Sequence, residues 1–126
     1  MTSKRILIIE DEKPLRDAFA FLLTSEGFTV ELAENGKVGL EKFVVFKPHL
    51  ILLDMLMPVM NGEEFLRRAK LQTVRPKVRT LVLSNLSDAI SLEDAHLFGV
   101  TDSVLKADLS PAQLATRIKK LLAARN

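Results

Sequence analysis

The sequence predicts a doubly wound α/β domain, a five-stranded parallel sheet with helices on both faces. Three observations predict it. Short aliphatic runs alternate five times with amphipathic stretches of helical length. The runs Arg5–Ile9, Leu50–Leu53 and Thr80–Ser84 are almost wholly aliphatic, as strands covered on both faces are. Turn and cap residues punctuate the junctions. Strands that alternate with helices pair in parallel, and right-handed crossovers place helices on both faces of the sheet.

The elements follow in order. After the first strand, Arg5–Ile9, Pro14 suits the first turn of a helix, where its missing N–H costs nothing. Leu15, Ala18, Phe19, Leu22 and Leu23 form its buried stripe, and Gly27 ends it. Phe21 falls off that stripe, as a half-buried edge aromatic or as part of a docking surface. Thr29–Ala33 is the second strand. Asn35-Gly36 opens the second helix, with Val38, Leu40 and Phe43 among its apolar positions. Beyond the third strand, Leu50–Leu53, Asn61 and Glu64 make a capping box for the third helix. Thr80–Ser84 is the fourth strand, and a fourth helix begins between Ser87 and Ser91 and ends before Gly99. Ser103–Leu105 is the last strand. Ser110 and Gln113 then form a second capping box around Pro111 at the first helical position.

Residues 1–126 contain no linker, repeat or low-complexity segment, so one domain with one core is expected, without an output domain after the last helix. With 48% hydrophobic and 27% charged residues, the composition is that of an ordinary globular protein. The absence of cysteine excludes disulfides, thiolate metal sites and a cysteine nucleophile. The apolar run near Met1 is too short for a signal peptide and is interrupted by Glu10 and Asp11, and no stretch reaches the roughly 18 apolar residues of a membrane span. A cytoplasmic protein without a membrane partner is expected.

A net charge of +2 permits nucleic-acid binding but supplies no footprint for it, so no nucleic-acid partner is expected. Arg67, Arg68, Lys70, Arg75, Lys77 and Arg79 read as a solvated face plus a charged loop rather than a docking patch. His49 and His96 lack a second histidine at ligand spacing and read as structural or exposed.

Open sheets of this type bind ligands beyond the carboxyl ends of their strands. There the first strand ends in Glu10-Asp11, the third in Asp54, the fourth in Ser84-Asn85 and the fifth in Lys106. Clustered carboxylates repel one another, so the group needs a cation, and oxygen ligands suit Mg²⁺. Asp54 reads as a nucleophile of the kind that forms acyl phosphates. Phosphoryl transfer requires mainly positioning and charge neutralisation, which Mg²⁺ and the Lys106 ammonium would supply, with Ser84 donating to a phosphoryl oxygen.

The ordered set Ile-Ile-Glu10-Asp11, Leu-Leu-Asp54-Met-Leu-Met-Pro58, Asn61-Gly62, Leu-Val-Leu-Ser84 and Val-Leu-Lys106 closely resembles the receiver domain of two-component response regulators, the CheY-like family. The resemblance covers the whole chain. Ala33-Glu34-Asn35-Gly36 and Gly99, seven residues ahead of Lys106, agree with it. It implies the flavodoxin-like strand order 2-1-3-4-5. It further implies a switch in a phosphorelay, with a sensor histidine kinase or histidine phosphotransfer protein as donor. Such a domain catalyses its own phosphorylation and slow dephosphorylation without being a turnover enzyme. By the resemblance Asp54 is the acceptor, Glu10 and Asp11 the acidic pair, Ser84 the switch hydroxyl and Lys106 the lysine of the site. Leu56 matches the position whose main-chain oxygen binds the metal.

The chain departs from that pattern at several positions. Glu10 stands where the family more often has Asp, which shifts the metal site without removing it. Leu56 and Leu86 cannot orient an attacking water and Asn85 crowds access, so slow loss of the phosphoryl group is expected. Ser103 replaces the usual Tyr or Phe and cannot sweep an aromatic's volume. Ala107 replaces a common Pro, which makes a trans bond the default, because a cis bond before Ala costs about 3 kcal/mol. The loop from Met55 to Met60 is expected to pack over the site.

Other readings fare worse. A haloacid-dehalogenase-like phosphatase needs a second acid two residues after its nucleophile, where this chain has Leu56. A nucleotide or flavin binder needs a glycine-rich first loop, but Glu10-Asp11-Glu12 would repel a phosphate. The remaining competitor is a degenerate receiver that acts as a phosphorylation-independent interaction module.

Overall fold

The computed structural model describes residues 3–55, 59–70, 77–84, 99–105 and 110–123. Five strands, β1 (Arg5–Ile9), β2 (Thr29–Ala33), β3 (Leu50–Asp54), β4 (Arg79–Ser84) and β5 (Asp102–Leu105), form one parallel sheet in the order β2-β1-β3-β4-β5. Among the described residues four helices accompany them: α1 (Lys13–Ser25), α2 (Gly36–Phe46), α3 (Gly62–Ala69) and α4 (Pro111–Ala123). The fourth helix expected from the sequence, before Gly99, lies outside the described residues, so α4 is the fifth of that reading. The strand order agrees with expectation, and β3, β4 and β5 each gain one residue at one end.

Side-chain alternation along the strands builds a core on each face. Ile6, Ile8, Leu50, Leu52, Leu81 and Leu83 pack with Phe19 and Leu23 of α1 and with Leu114 and Ile118 of α4. Leu7, Ile9, Ile51, Leu53 and Val82 pack with Phe43 of α2 and Phe65 and Leu66 of α3, where the two phenyl rings meet edge to face at 6.3 Å. Both faces of β1 and β3 are therefore buried, which explains why their sequences do not alternate.

The helices correct three details. Ala18 is exposed, whereas Ala20 packs against the core. The buried arc of α1 runs through Leu15, Phe19, Ala20, Leu22 and Leu23, rotated toward α4, whose Lys119 pairs with Glu26 at the end of α1. Phe21 lies opposite that arc at 79% exposure, so it is not half-buried. At α3 only half of the expected capping box forms. The Asn61 side chain accepts the Glu64 N–H at 2.9 Å, but the Glu64 carboxylate turns to Arg68 at 2.6 Å and Arg67 at 3.5 Å. The box at α4 is complete, with Ser110 N–H donating to Gln113 Oε1 at 3.0 Å and Gln113 N–H to Ser110 Oγ at 3.2 Å. Of the basic run, Arg67 and Arg68 pair with Glu63 and Glu64, and Arg79 Nε donates to the Leu121 carbonyl at 3.2 Å. Arg75 and His96 lie outside the described residues.

His49 is structural. Its Nδ1 accepts the Arg5 backbone N–H at 2.9 Å, and its own N–H and C=O join β1 to β4. Only neutral imidazole can accept there. Burial, with help from the Arg5 and Lys4 charges, lowers the His49 pKa from 6.5. The unfolded chain therefore binds this proton more readily, so the contribution is complete above about pH 6.5 and lost as pH falls through the lowered folded value. His49→Asn, whose Oδ1 can accept the same N–H, should flatten the dependence of stability on pH between 7 and 5. Urea unfolding across that range, compared with wild type, tests it.

Candidate active site at the carboxyl ends of the strands

The register of the sheet brings two acids side by side. The last β1–β3 pair is Ile9–Leu53, and one residue further the two chains reach Glu10 and Asp54. Both are almost wholly buried, at 1% and 2% exposure, which is rare for carboxylates. Asp11, next in the chain to Glu10, is half-buried and Glu12 is exposed. The carboxylate oxygens of Glu10, Asp11 and Glu12 lie within 4.8 Å of one another. At an effective dielectric of about 20, two unit charges roughly 5 Å apart repel by about 3 kcal/mol. The cluster could therefore hold a cation. Its donors are all oxygens, which fits a hard divalent ion such as Mg²⁺ and not a thiolate- or imidazole-seeking metal.

The loop backbones are fixed around these acids. Glu10 N–H donates to the Ala33 carbonyl at 3.0 Å, and Glu12 N–H to Glu10 Oε1 at 3.3 Å. Arg16, a residue outside the sequence motifs, donates through Nη1 to the carbonyls of Glu10 at 2.8 Å and Asp11 at 3.4 Å. A signal for it existed: α1 carries Lys13 and Arg16 near its N-terminus and no acid in its first turn, against the preference of the helix dipole.

On the other side, Met55 N–H donates to the Leu83 carbonyl at 3.2 Å, so β3 remains tied to β4 just past Asp54. Two glycines hold the described residues on either side of the segment that follows, at Met55 and Met60. Gly62 N–H donates to the Met55 carbonyl at 3.0 Å, and Gly36 N–H to the Met60 carbonyl at 3.1 Å. A Cβ at Gly36 would stand 2.5 Å from that same Met60 oxygen, so Gly36 does more than open α2. Met55 is buried and Met60 half-buried, but Val59 is 78% exposed. Val59 also has φ 70°, a left-handed conformation that strains a β-branched residue.

The remaining site residues stand as follows. Ser84 ends β4 one residue beyond Leu83, the partner of Asp54, and pairs with Leu105. Lys106, Leu56, Asn85, Leu86 and Ala107 lie outside the described residues. Ser103 is exposed on β5. It helps line an open cleft of about 830 Å³ between β5 and α4, with Leu105, Gln113, Arg117 and Lys120. None of the acids described above lines that cleft.

Residues 6–119 match the family described as the response regulator receiver domain. The chain belongs to that family. It is 33% identical over 132 residues to the alkaline phosphatase synthesis transcriptional regulatory protein SphR of Synechococcus elongatus, covering 95% of this chain and 49% of that protein. It is 32% identical over 125 residues to the phosphate regulon transcriptional regulatory protein PhoB of Pseudomonas aeruginosa, covering 97% of this chain and 53% of that protein. The receiver chain thus spans about half the length of these curated relatives. Among solved structures, a CheY-like receiver domain protein of Methanospirillum hungatei superposes with a TM-score of 0.84 at 30% identity, covering 96% of this chain and 94% of that one. Chemotaxis protein CheY4 of Vibrio cholerae, at 24% identity and a TM-score of 0.83 over 95% of this chain and 99% of its own, shares the fold.

Proposed function

We propose that this receiver accepts a phosphoryl group on Asp54 from a phosphohistidine donor, with Mg²⁺, and that the resulting change alters what it binds. The observation that carries the reading is the burial of Glu10 and Asp54 together at adjacent strand ends, with the Asp11 carboxylate close to that of Glu10. Burying ionised carboxylates is costly unless a cation or hydrogen bonds compensate. Mg²⁺ would be held by Asp11, Asp54 and the Leu56 carbonyl, with Glu10 ordering a metal-bound water, and when bound it neutralises charge at the phosphoryl oxygens.

In the transfer an Asp54 carboxylate oxygen forms the new bond to phosphorus. The P–N bond of phosphohistidine breaks, and its electron pair returns to the imidazole, which takes a proton from solvent. Lys106 offsets charge at the phosphoryl group as a mobile cation, and Ser84 donates a hydrogen bond to one phosphoryl oxygen. The donor would be a sensor histidine kinase or a histidine phosphotransfer protein, in the cytoplasm. Regulation of transcription, which the names of the two relatives above describe, would require a DNA-binding segment in addition to the receiver.

Acetyl phosphate with Mg²⁺ tests the reading through intact-protein mass. The expected result is a gain of one phosphoryl group that disappears with chelator and in Asp54→Asn. No uptake under any condition would favour the alternative, a degenerate receiver that binds partners without chemistry.

A further inference from the structure

We infer that Arg16 is a positioning residue for the acidic run, holding it in the geometry that binds Mg²⁺; the inference rests on the metal reading above. One residue engages three consecutive carbonyls. The Arg16 guanidinium donates to Glu10 O at 2.8 Å and Asp11 O at 3.4 Å, and its backbone N–H donates to Glu12 O at 2.8 Å. On the other side of the same segment, Glu10 N–H is held by Ala33 and Glu12 N–H by Glu10 Oε1. The main chain of the run is therefore fixed along its length, which fixes the directions in which the Glu10 and Asp11 side chains leave it.

An arginine suits this task better than a neutral donor. Its guanidinium is planar and permanently charged, so one nitrogen can serve two carbonyls while the charge offsets repulsion among carboxylates within 4.8 Å of one another. Its bonds go to main-chain oxygens. It can therefore remain in place when a metal occupies the carboxylates instead of being displaced. The unfavourable location of a cation near the start of α1 is compensated by the acids that precede it.

Calorimetric titration of Mg²⁺ into wild type, Arg16→Ala and Arg16→Lys tests this role. Arg16→Ala should bind Mg²⁺ about tenfold more weakly, the lower end for residues that orient metal ligands. Arg16→Lys, which keeps the charge on one donor nitrogen with three N–H groups, should recover most of the loss. Ile118→Val, on the buried face of α4, should lower stability without changing Mg²⁺ affinity, which separates positioning from general destabilisation. Arg16→Ala binding Mg²⁺ as tightly as wild type, or more tightly as expected for a merely competing charge, overturns the inference and leaves the metal reading standing. A wild type that binds no Mg²⁺ overturns both.

Discussion

Gly62→Ala should be among the most damaging single substitutions in this receiver. A Cβ at residue 62 would lie 2.7 Å from Met55 Cα and 2.8 Å from the Asp54 carbonyl oxygen. These are backbone atoms, so no rotamer change can relieve the overlap, unlike the contact at Gly39, where the Cβ would meet the Ile9 side chain. The turn must move, and with it the peptide that follows Asp54. A loss of roughly 3 kcal/mol is expected, toward the upper end for overpacked sites, with a fall in melting temperature of about 10 °C. The rate of phosphoryl uptake should fall as well, because the Asp54–Met55 peptide shifts. Urea unfolding and the initial rate with acetyl phosphate measure the two effects. Wild-type stability in Gly62→Ala would mean that the turn does not pack on the Asp54 main chain.

Asp54→Asn should have opposite effects on stability and function. The amide has nearly the same shape as the carboxylate and removes one negative charge from a buried position at the strand end next to that of Glu10. In metal-free buffer the variant should melt at a higher temperature than wild type. Mg²⁺ should then reverse the order. Wild type at a concentration 100 times its Kd should gain about 2.7 kcal/mol from binding linkage, whereas the variant, lacking one ligand charge, should gain far less at the same concentration. Phosphoryl uptake should be lost altogether. Melting curves with and without Mg²⁺ provide the comparison. An Asp54→Asn protein less stable than wild type without metal would show that the carboxylate is already compensated by the protein.

The fold was legible because β1, β3 and β4 bury both faces and leave little freedom in composition, and because proline, glycine and capping residues mark the helix starts. The strand-end placement of the candidate acids was legible for a related reason, since carboxylates directly after aliphatic strands are rare in a core unless something compensates them. Three features could not be read so directly. The inward face of α1 depends on its packing against α4, so Ala18 and Ala20 exchanged roles. Glu64 matches a capping pattern, yet Arg68 one turn later draws its carboxylate away. Arg16 acts through main-chain oxygens, which carry no side-chain signature, and its only trace was a cation near a helix start. Gly62 and Gly36 were visible as motif residues, but their reason, the close approach of the turn after β3, is three-dimensional.

The most direct test is the location of the phosphoryl group. An acyl phosphate is reduced by borohydride to an alcohol, so phosphorylated aspartate becomes homoserine, and peptide mass mapping reads the position. The expected result is homoserine at residue 54, formed only when acetyl phosphate and Mg²⁺ were both present. Reduction to an alcohol at another carboxylate, or a phosphoryl group that borohydride leaves unreduced, would contradict Asp54 as the acceptor.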